Sequence, residues 1–212
     1  MKITKPIIYL ISDGTITPQN YSEKSKKLFR IIETAVESNI ALVQIREKLL
    51  IPRLVFELTT QAVKIAQNSN TKILVNDRAD IALAAKADGV HLTSNSISTK
   101  IIRQTFPKDF IIGVSTHSFE AVVKAKDQGA NFATLSPIFA SPNKGKPIGL
   151  EVLQDVCEKV KSLPIIALGG IDETNYREVL QIADGFAAIR FLNNQKSLRK
   201  LSDESLFINC RT

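Results

Sequence analysis

The chain has 212 residues, 44% hydrophobic and 23% charged, a composition that suits a folded domain and excludes disordered and fibrous classes. Its net charge of +7 comes from scattered lysines without aromatic–basic interleaving, so nucleic-acid binding is not expected; the charge reads first as a lysine-rich solvated surface and second as an attraction for phosphorylated metabolites. Cys157 and Cys210 form no CxxC pair, and no stretch reaches the roughly 20 apolar residues of a membrane span, so a reducing, cytoplasmic setting without a membrane partner is expected.

Short apolar runs recur along the chain at Ile7–Ile11, Leu42–Ile45, Ile73–Val75, Gly89–Leu92, Phe110–Val114, Phe132–Leu135, Ile165–Leu168 and Gly185–Ile189. They are continuously apolar rather than alternating, the pattern of parallel strands covered on both faces. Helix-period segments lie between them. Lys24–Ser38 carries Leu28, Ile31, Ile32 and Ala35, and Arg53–Gln67 carries Val55, Leu58, Ala62 and Ile65. Asp80–Ala85, Ser98–Gln104, Phe119–Lys126 and Leu150–Val160 follow the same pattern. Strands alternating with helices imply βαβ crossovers, and eight of them imply a closed (β/α)₈ TIM barrel with eight parallel strands. The barrel is expected to span residues 1–212 as one domain. Ala87-Asp-Gly-Val and Ala183-Asp-Gly-Phe repeat one helix-end-to-strand phrase, as a repeated βα unit would. Pro137–Gly149 is the longest irregular stretch, and from Asn193 onward the chain predicts at most a degraded eighth helix.

Barrel enzymes place their chemistry at the C-terminal strand ends. Strand 2 ends in Gln44-Ile-Arg-Glu-Lys48, where alternation sends Gln44, Arg46 and Lys48 inward as an anion cradle and Glu47 outward. Strand 3 ends in Asn76-Asp77-Arg78. Asn76 is a candidate substrate ligand, and Asp77 either ligates Mg²⁺ or caps the next helix. The only two histidines, His91 and His117, fall at the ends of strands 4 and 5. His117 is the candidate acid/base, whereas His91 either shares that role or packs in the barrel wall. Gly169-Gly170 after strand 7, with Ile189-Arg190 ending strand 8, predicts a backbone nest and a cation for phosphate.

The phrases Val43-Gln-Ile-Arg-Glu-Lys48, Val75-Asn-Asp-Arg-Ala-Asp80, Ala87-Asp-Gly-Val-His-Leu92, Ile112-Gly-Val-Ser-Thr-His117, Ser136-Pro-Ile-Phe139, Ile148-Gly-Leu150 and Ala167-Leu-Gly-Gly-Ile171 occur in this order. Over residues 7–192 the chain resembles the thiamine phosphate synthase and thiazole tautomerase (TenI) family. The resemblance implies that Gln44, Arg46, Lys48 and Asn76 bind a pyrimidine methyl diphosphate and that Asp77 binds Mg²⁺. It also implies that Ser115, Ser141, Asn143 and Lys144 line the site, and that Gly169 and Gly170 hold a thiazole phosphate. The chain departs from the synthase pattern at Ser96, where those enzymes carry a second metal-binding Asp, and at Arg190, where a small residue is usual. Both departures resemble the TenI branch, in which the residue matching His117 isomerises a thiazole carboxylate phosphate without metal. The first expectation is therefore a thiazole tautomerase without a cofactor. The second is an Mg²⁺-dependent thiamine phosphate synthase that tolerates Ser96. A non-catalytic thiazole phosphate binder and an unrelated phosphosugar isomerase are weaker expectations. The family resemblance also implies a homo-oligomer.

Overall fold

The computed structural model describes residues 5–142 and 144–203. Asn143 and Cys210 lie outside the described residues. The strands are β1 (Ile7–Ile11), β2 (Leu42–Ile45), β3 (Lys72–Asn76), β4 (Gly89–Leu92), β5 (Ile111–Thr116), β6 (Phe132–Leu135), β7 (Ile165–Leu168) and β8 (Gly185–Ala188). The helices are α1 (Tyr21–Glu37), α2 (Pro52–Ala66), α3 (Ala79–Ala84), α4 (Thr99–Thr105), α5 (Phe119–Asp127), α6 (Gly149–Lys159), α7 (Tyr176–Leu180) and α8 (Gln195–Asp203). The strands form one closed parallel barrel in chain order, with β8 returning to β1. No described helix is long and apolar enough to cross a membrane.

Every strand but β4 feeds two apolar cores, which is why the runs read as continuously apolar. Ile7, Tyr9, Ile11, Leu42, Leu74, Ile111, Phe132, Ile166 and Ala187 point into the barrel and pack against one another. Their neighbours, such as Ile8, Leu10, Val43, Ile73 and Val75, point outward against helix residues including Leu28, Ile32 and Leu58. Following the inward alternation upward leads from Leu42 to Gln44, from Leu74 to Asn76 and from Ile111 through Gly113 to Ser115. The pleat thus replaces apolar with polar side chains at the C-terminal mouth.

Four features depart from the sequence expectation. Helix α1 begins at Tyr21, one turn before the expected Lys24, because its first turn lacks the apolar period. Helix α7 had no visible signal: it is five residues long and buries only Tyr176 and Val179. Helix α8 is regular, with Leu198 and Leu201 buried and Asn194 Oδ1 accepting from Lys196 N at 2.9 Å. Strands β2 and β8 end at Ile45 and Ala188, so Arg46, Lys48, Ile189 and Arg190 sit on the loops that follow. Strand alternation therefore does not govern Arg46 and Lys48. Arg46 is half-buried, and Lys48 is exposed in a turn.

Candidate active site

The β2–β4 side of the mouth is wired together before any ligand enters. Gln44, only 1% exposed, donates from Nε2 to Asn76 Oδ1 at 3.1 Å. Asn76 Nδ2 then donates to Asp77 Oδ2 at 2.7 Å. Asp77 Oδ1 accepts from Thr93 N at 3.0 Å, from Thr93 Oγ1 at 2.9 Å and from Ser96 Oγ. Burial pushes the Asp77 carboxyl up, but the donors Ser96, Thr93 and Asn76 outweigh it and hold it below the ordinary value. The capping reading of Asp77 fails. Helix α3 has Arg78 at its N-cap with no side-chain cap, and Asp77 reaches instead to the loop after β4.

Beside this cluster, Glu47 is 4% exposed and accepts from Ser12 Oγ at 2.6 Å, Gly14 N at 3.2 Å and Ile16 N at 2.9 Å. Burial pushes the Glu47 carboxyl up, partly offset by these donors. The Ser12 hydroxyl also accepts from Arg46 N at 2.8 Å. The sequence reading assigned Ser12 and Glu47 no role. Strand parity could not have found this clamp, because β2 ends at Ile45 and Glu47 lies on the loop that follows.

On β4 and β5 the two histidines separate. His91 is 2% exposed, with its ring 5.6 Å from that of Tyr9 and 5.9 Å from that of Phe132. Burial pulls its pKa down to about 4, with the Asp77 charge opposing and Arg46 assisting. It is the barrel-wall residue rather than an exposed acid/base. His117 stands just past β5, exposed, with Nδ1 2.7 Å from the Ser136 carbonyl oxygen. A carbonyl only accepts, so Nδ1 carries a proton, and in the neutral ring the lone pair is on Nε2.

The β7–β8 side is built from backbone. Gly169 and Gly170 have φ of 103° and 68°. A Cβ on Gly170 would come within 2.6 Å of the Ala140 oxygen, and one on Gly169 within 2.8 Å of Pro137 Cα. Only glycine combines that dihedral with that contact. The base of the 137–149 loop is stitched to this turn by Ile138 N to Leu168 O at 2.9 Å and Phe139 N to Gly169 O at 3.0 Å. At its tip Ser141 is half-buried and Lys144 is exposed. Gly170, Asp172, Glu173, Arg190, Lys196 and Lys200 are among the residues lining an open cleft of about 600 Å³, where three cations outnumber two carboxylates and Lys200 pairs with Glu173 at 3.9 Å.

Mg²⁺ is commonly held by one or two carboxylates together with substrate phosphates rather than by an all-protein cage. Among the described residues no three His, Cys, Asp or Glu side chains gather as a metal cage. Asp77 clusters with hydroxyls and an amide, and its oxygens already accept four hydrogen bonds. This donor set fits a cation that arrives with a diphosphate, and does not fit a resident ion held by protein alone.

A parallel barrel with polar groups gathered at its C-terminal mouth is the architecture of a barrel enzyme. The family profile described as thiamine monophosphate synthase matches residues 8–192. A thiamine-phosphate synthase of Clostridium acetobutylicum is 32% identical over 200 residues, covering 93% of this chain and 90% of the relative. A putative thiamine-phosphate synthase 2 of Aquifex aeolicus is 38% identical over 168 residues, 78% of this chain and 86% of the relative. Among solved structures, thiamine phosphate pyrophosphorylase from Pyrococcus furiosus superposes with a TM-score of 0.78 at 29% identity, over 95% of this chain and 97% of that one. The chain belongs to the thiamine phosphate synthase/TenI family and is an enzyme of thiamine biosynthesis.

Proposed function

We propose that the chain joins a pyrimidine methyl diphosphate to a thiazole phosphate, releasing pyrophosphate. The feature that supports this reading is that the mouth has two separate polar ends, each with a cation. One is the Gln44–Asn76–Asp77 chain beside Arg46, and the other is the Gly170–Arg190 cleft. The thiazole carboxylate phosphate of an isomerase is also anionic at two places, so the discrimination rests on Asp77, a carboxylate that suits a diphosphate bridged by a cation and not a bare anion. The names of the relatives also favour coupling over the tautomerase that the sequence alone put first.

In this reading Gln44, Arg46, Lys48 and Asn76 bind the diphosphate substrate, with Ser115, Ser141, Asn143 and Lys144 around it. Gly169, Gly170, Ile189 and Arg190 take the thiazole phosphate. Asp77 would hold Mg²⁺ together with the diphosphate, and when bound the ion would supply charge neutralisation for the departing pyrophosphate. The cationic side chains place fixed positive charge where negative charge develops as the carbon–oxygen bond breaks.

The tautomerase stands as the second reading, because His117 presents a lone pair on Nε2 with its ring held by Ser136. There His117 moves a proton between ring positions of a thiazole carboxylate phosphate. One assay separates the two. The protein is mixed with pyrimidine methyl diphosphate, thiazole phosphate and Mg²⁺, thiamine phosphate is quantified with and without chelator, and in a parallel reaction thiazole carboxylate phosphate alone is followed for ring isomerisation. Turnover that chelator abolishes supports coupling. An unchanged diphosphate alongside an isomerised thiazole, indifferent to chelator, replaces it with the tautomerase. His117→Asn then lowers isomerisation by about 10²–10⁴-fold while leaving most coupling intact.

A further inference from the structure

The inner layer below the mouth holds side-chain atoms that the mechanism does not use. Among the described residues Tyr9 Oη, His91 Nδ1 and Thr134 Oγ1 are buried without a hydrogen-bond partner. Of these residues, only His91 is also bonded to a group at the mouth. Its Nε2 lies 2.9 Å from Ser115 Oγ. Its Nδ1 faces Gly113, where an added Cβ would come within 2.8 Å of that nitrogen and 2.3 Å of Phe132 Cζ. The glycine on β5 and the Tyr9 and Phe132 rings therefore fix the imidazole in one orientation, with Nε2 upward toward Ser115.

A neutral imidazole carries one N–H and one bare nitrogen. With the proton on Nδ1, a buried donor would be left unpaired, which native proteins avoid more strongly than an unpaired acceptor. With the proton on Nε2, the donor is satisfied by Ser115 Oγ and only a lone pair is orphaned. We infer that His91 is a positioning residue that donates from Nε2–H to Ser115 Oγ, which turns the Ser115 hydroxyl proton toward the mouth and makes Ser115 a fixed donor for an anionic oxygen of the substrate. The inference rests on the reading of the mouth as a diphosphate site. It adds a specificity rule: the group above Ser115 must accept, so a substrate bearing an amine or hydroxyl donor there is rejected.

Two measurements test it. The first is long-range ¹H–¹⁵N correlation on the wild-type protein, which identifies the protonated nitrogen of His91 regardless of function. Protonated Nε2 with bare Nδ1 is expected, and the reverse tautomer overturns the inference. The second uses inorganic pyrophosphate with Mg²⁺ as probe, measured by calorimetry. Ser115→Ala and His91→Leu are each expected to weaken binding by about 10-fold, the double variant no further, and His91→Gln, which keeps an amide donor, within about 2-fold of wild type. Wild-type affinity in a folded His91→Leu protein beside a weakened Ser115→Ala overturns the coupling between the two residues. Wild-type affinity in both, with Nε2 protonated, overturns the ligand half of the inference and the diphosphate reading with it, while leaving the His91–Ser115 bond standing.

Discussion

On the proposed function, the two ends of the barrel mouth hold an anion by opposite means. The β2–β4 end is a closed hydrogen-bond chain of side chains, in which Gln44, Asn76, Asp77, Thr93 and Ser96 already satisfy one another. The β7–β8 end is a glycine turn with exposed cations around an open cleft. A side-chain network fixes geometry and protonation at the cost of sensitivity to each partner. A backbone turn depends on the absence of a side chain and on the loop packed against it. The first end is therefore expected to respond to charge and the second to shape.

The largest expected effect tests the shape end. Gly170→Val forces a β-branched residue to positive φ with its Cβ against Ala140 O and Phe139 Cβ. It is expected to cost about 3 kcal/mol of stability and to abolish thiazole phosphate binding, read from urea midpoints and calorimetry. A stable variant that still binds would remove the glycine turn from the site.

The next tests how buried the wired end is. His91 in the fold has a pKa of about 4, below the ordinary 6.5. As pH falls below about 6.5 the unfolded chain takes up a proton that the folded chain refuses, so stability declines until about pH 4 and this group adds nothing further below it. The expected loss is about 3 kcal/mol across that window. It is measured by urea unfolding against pH and is absent in His91→Gln. Asp77, held below its ordinary value, contributes its own loss at lower pH, as pH falls through its folded pKa. A wild-type curve parallel to that of His91→Gln would place His91 in contact with water.

Smaller effects sharpen the contrast. Ser96→Asp sets a second carboxylate beside Asp77 and is expected to tighten Mg²⁺ binding by about 10-fold in a metal titration. Unchanged affinity would mean that position 96 does not face the cation. Arg190→Gln is expected to weaken thiazole phosphate by about 5-fold without moving diphosphate affinity, because an exposed cation acts through screened charge. Loss at both ends would show that they are one site.

The residues themselves explain what the sequence revealed. Gln44 and Asn76 were legible because strand alternation carries directly from Leu42 and Leu74 to them. The directions of Arg46 and Lys48 could not be read from alternation, which stops where β2 ends, and the turn that follows obeys the Ser12–Glu47 clamp instead. The Asp77–Ser96 contact joins residues from two successive strand ends, which no local pattern encodes. Helix α7 was invisible because two buried residues in five do not make a period.

The sequence by itself determined the barrel, its strand order, the glycine turn after β7 and the family, since apolar period, turn residues and motif phrases are local properties of the chain. Only the tertiary structure decided that His91 is walled in while His117 is open, that Asp77 is locked by hydroxyls and does not cap a helix, and that the mouth has two ends. Each of those depends on which strand ends lie side by side around the barrel, and closure of the sheet sets that.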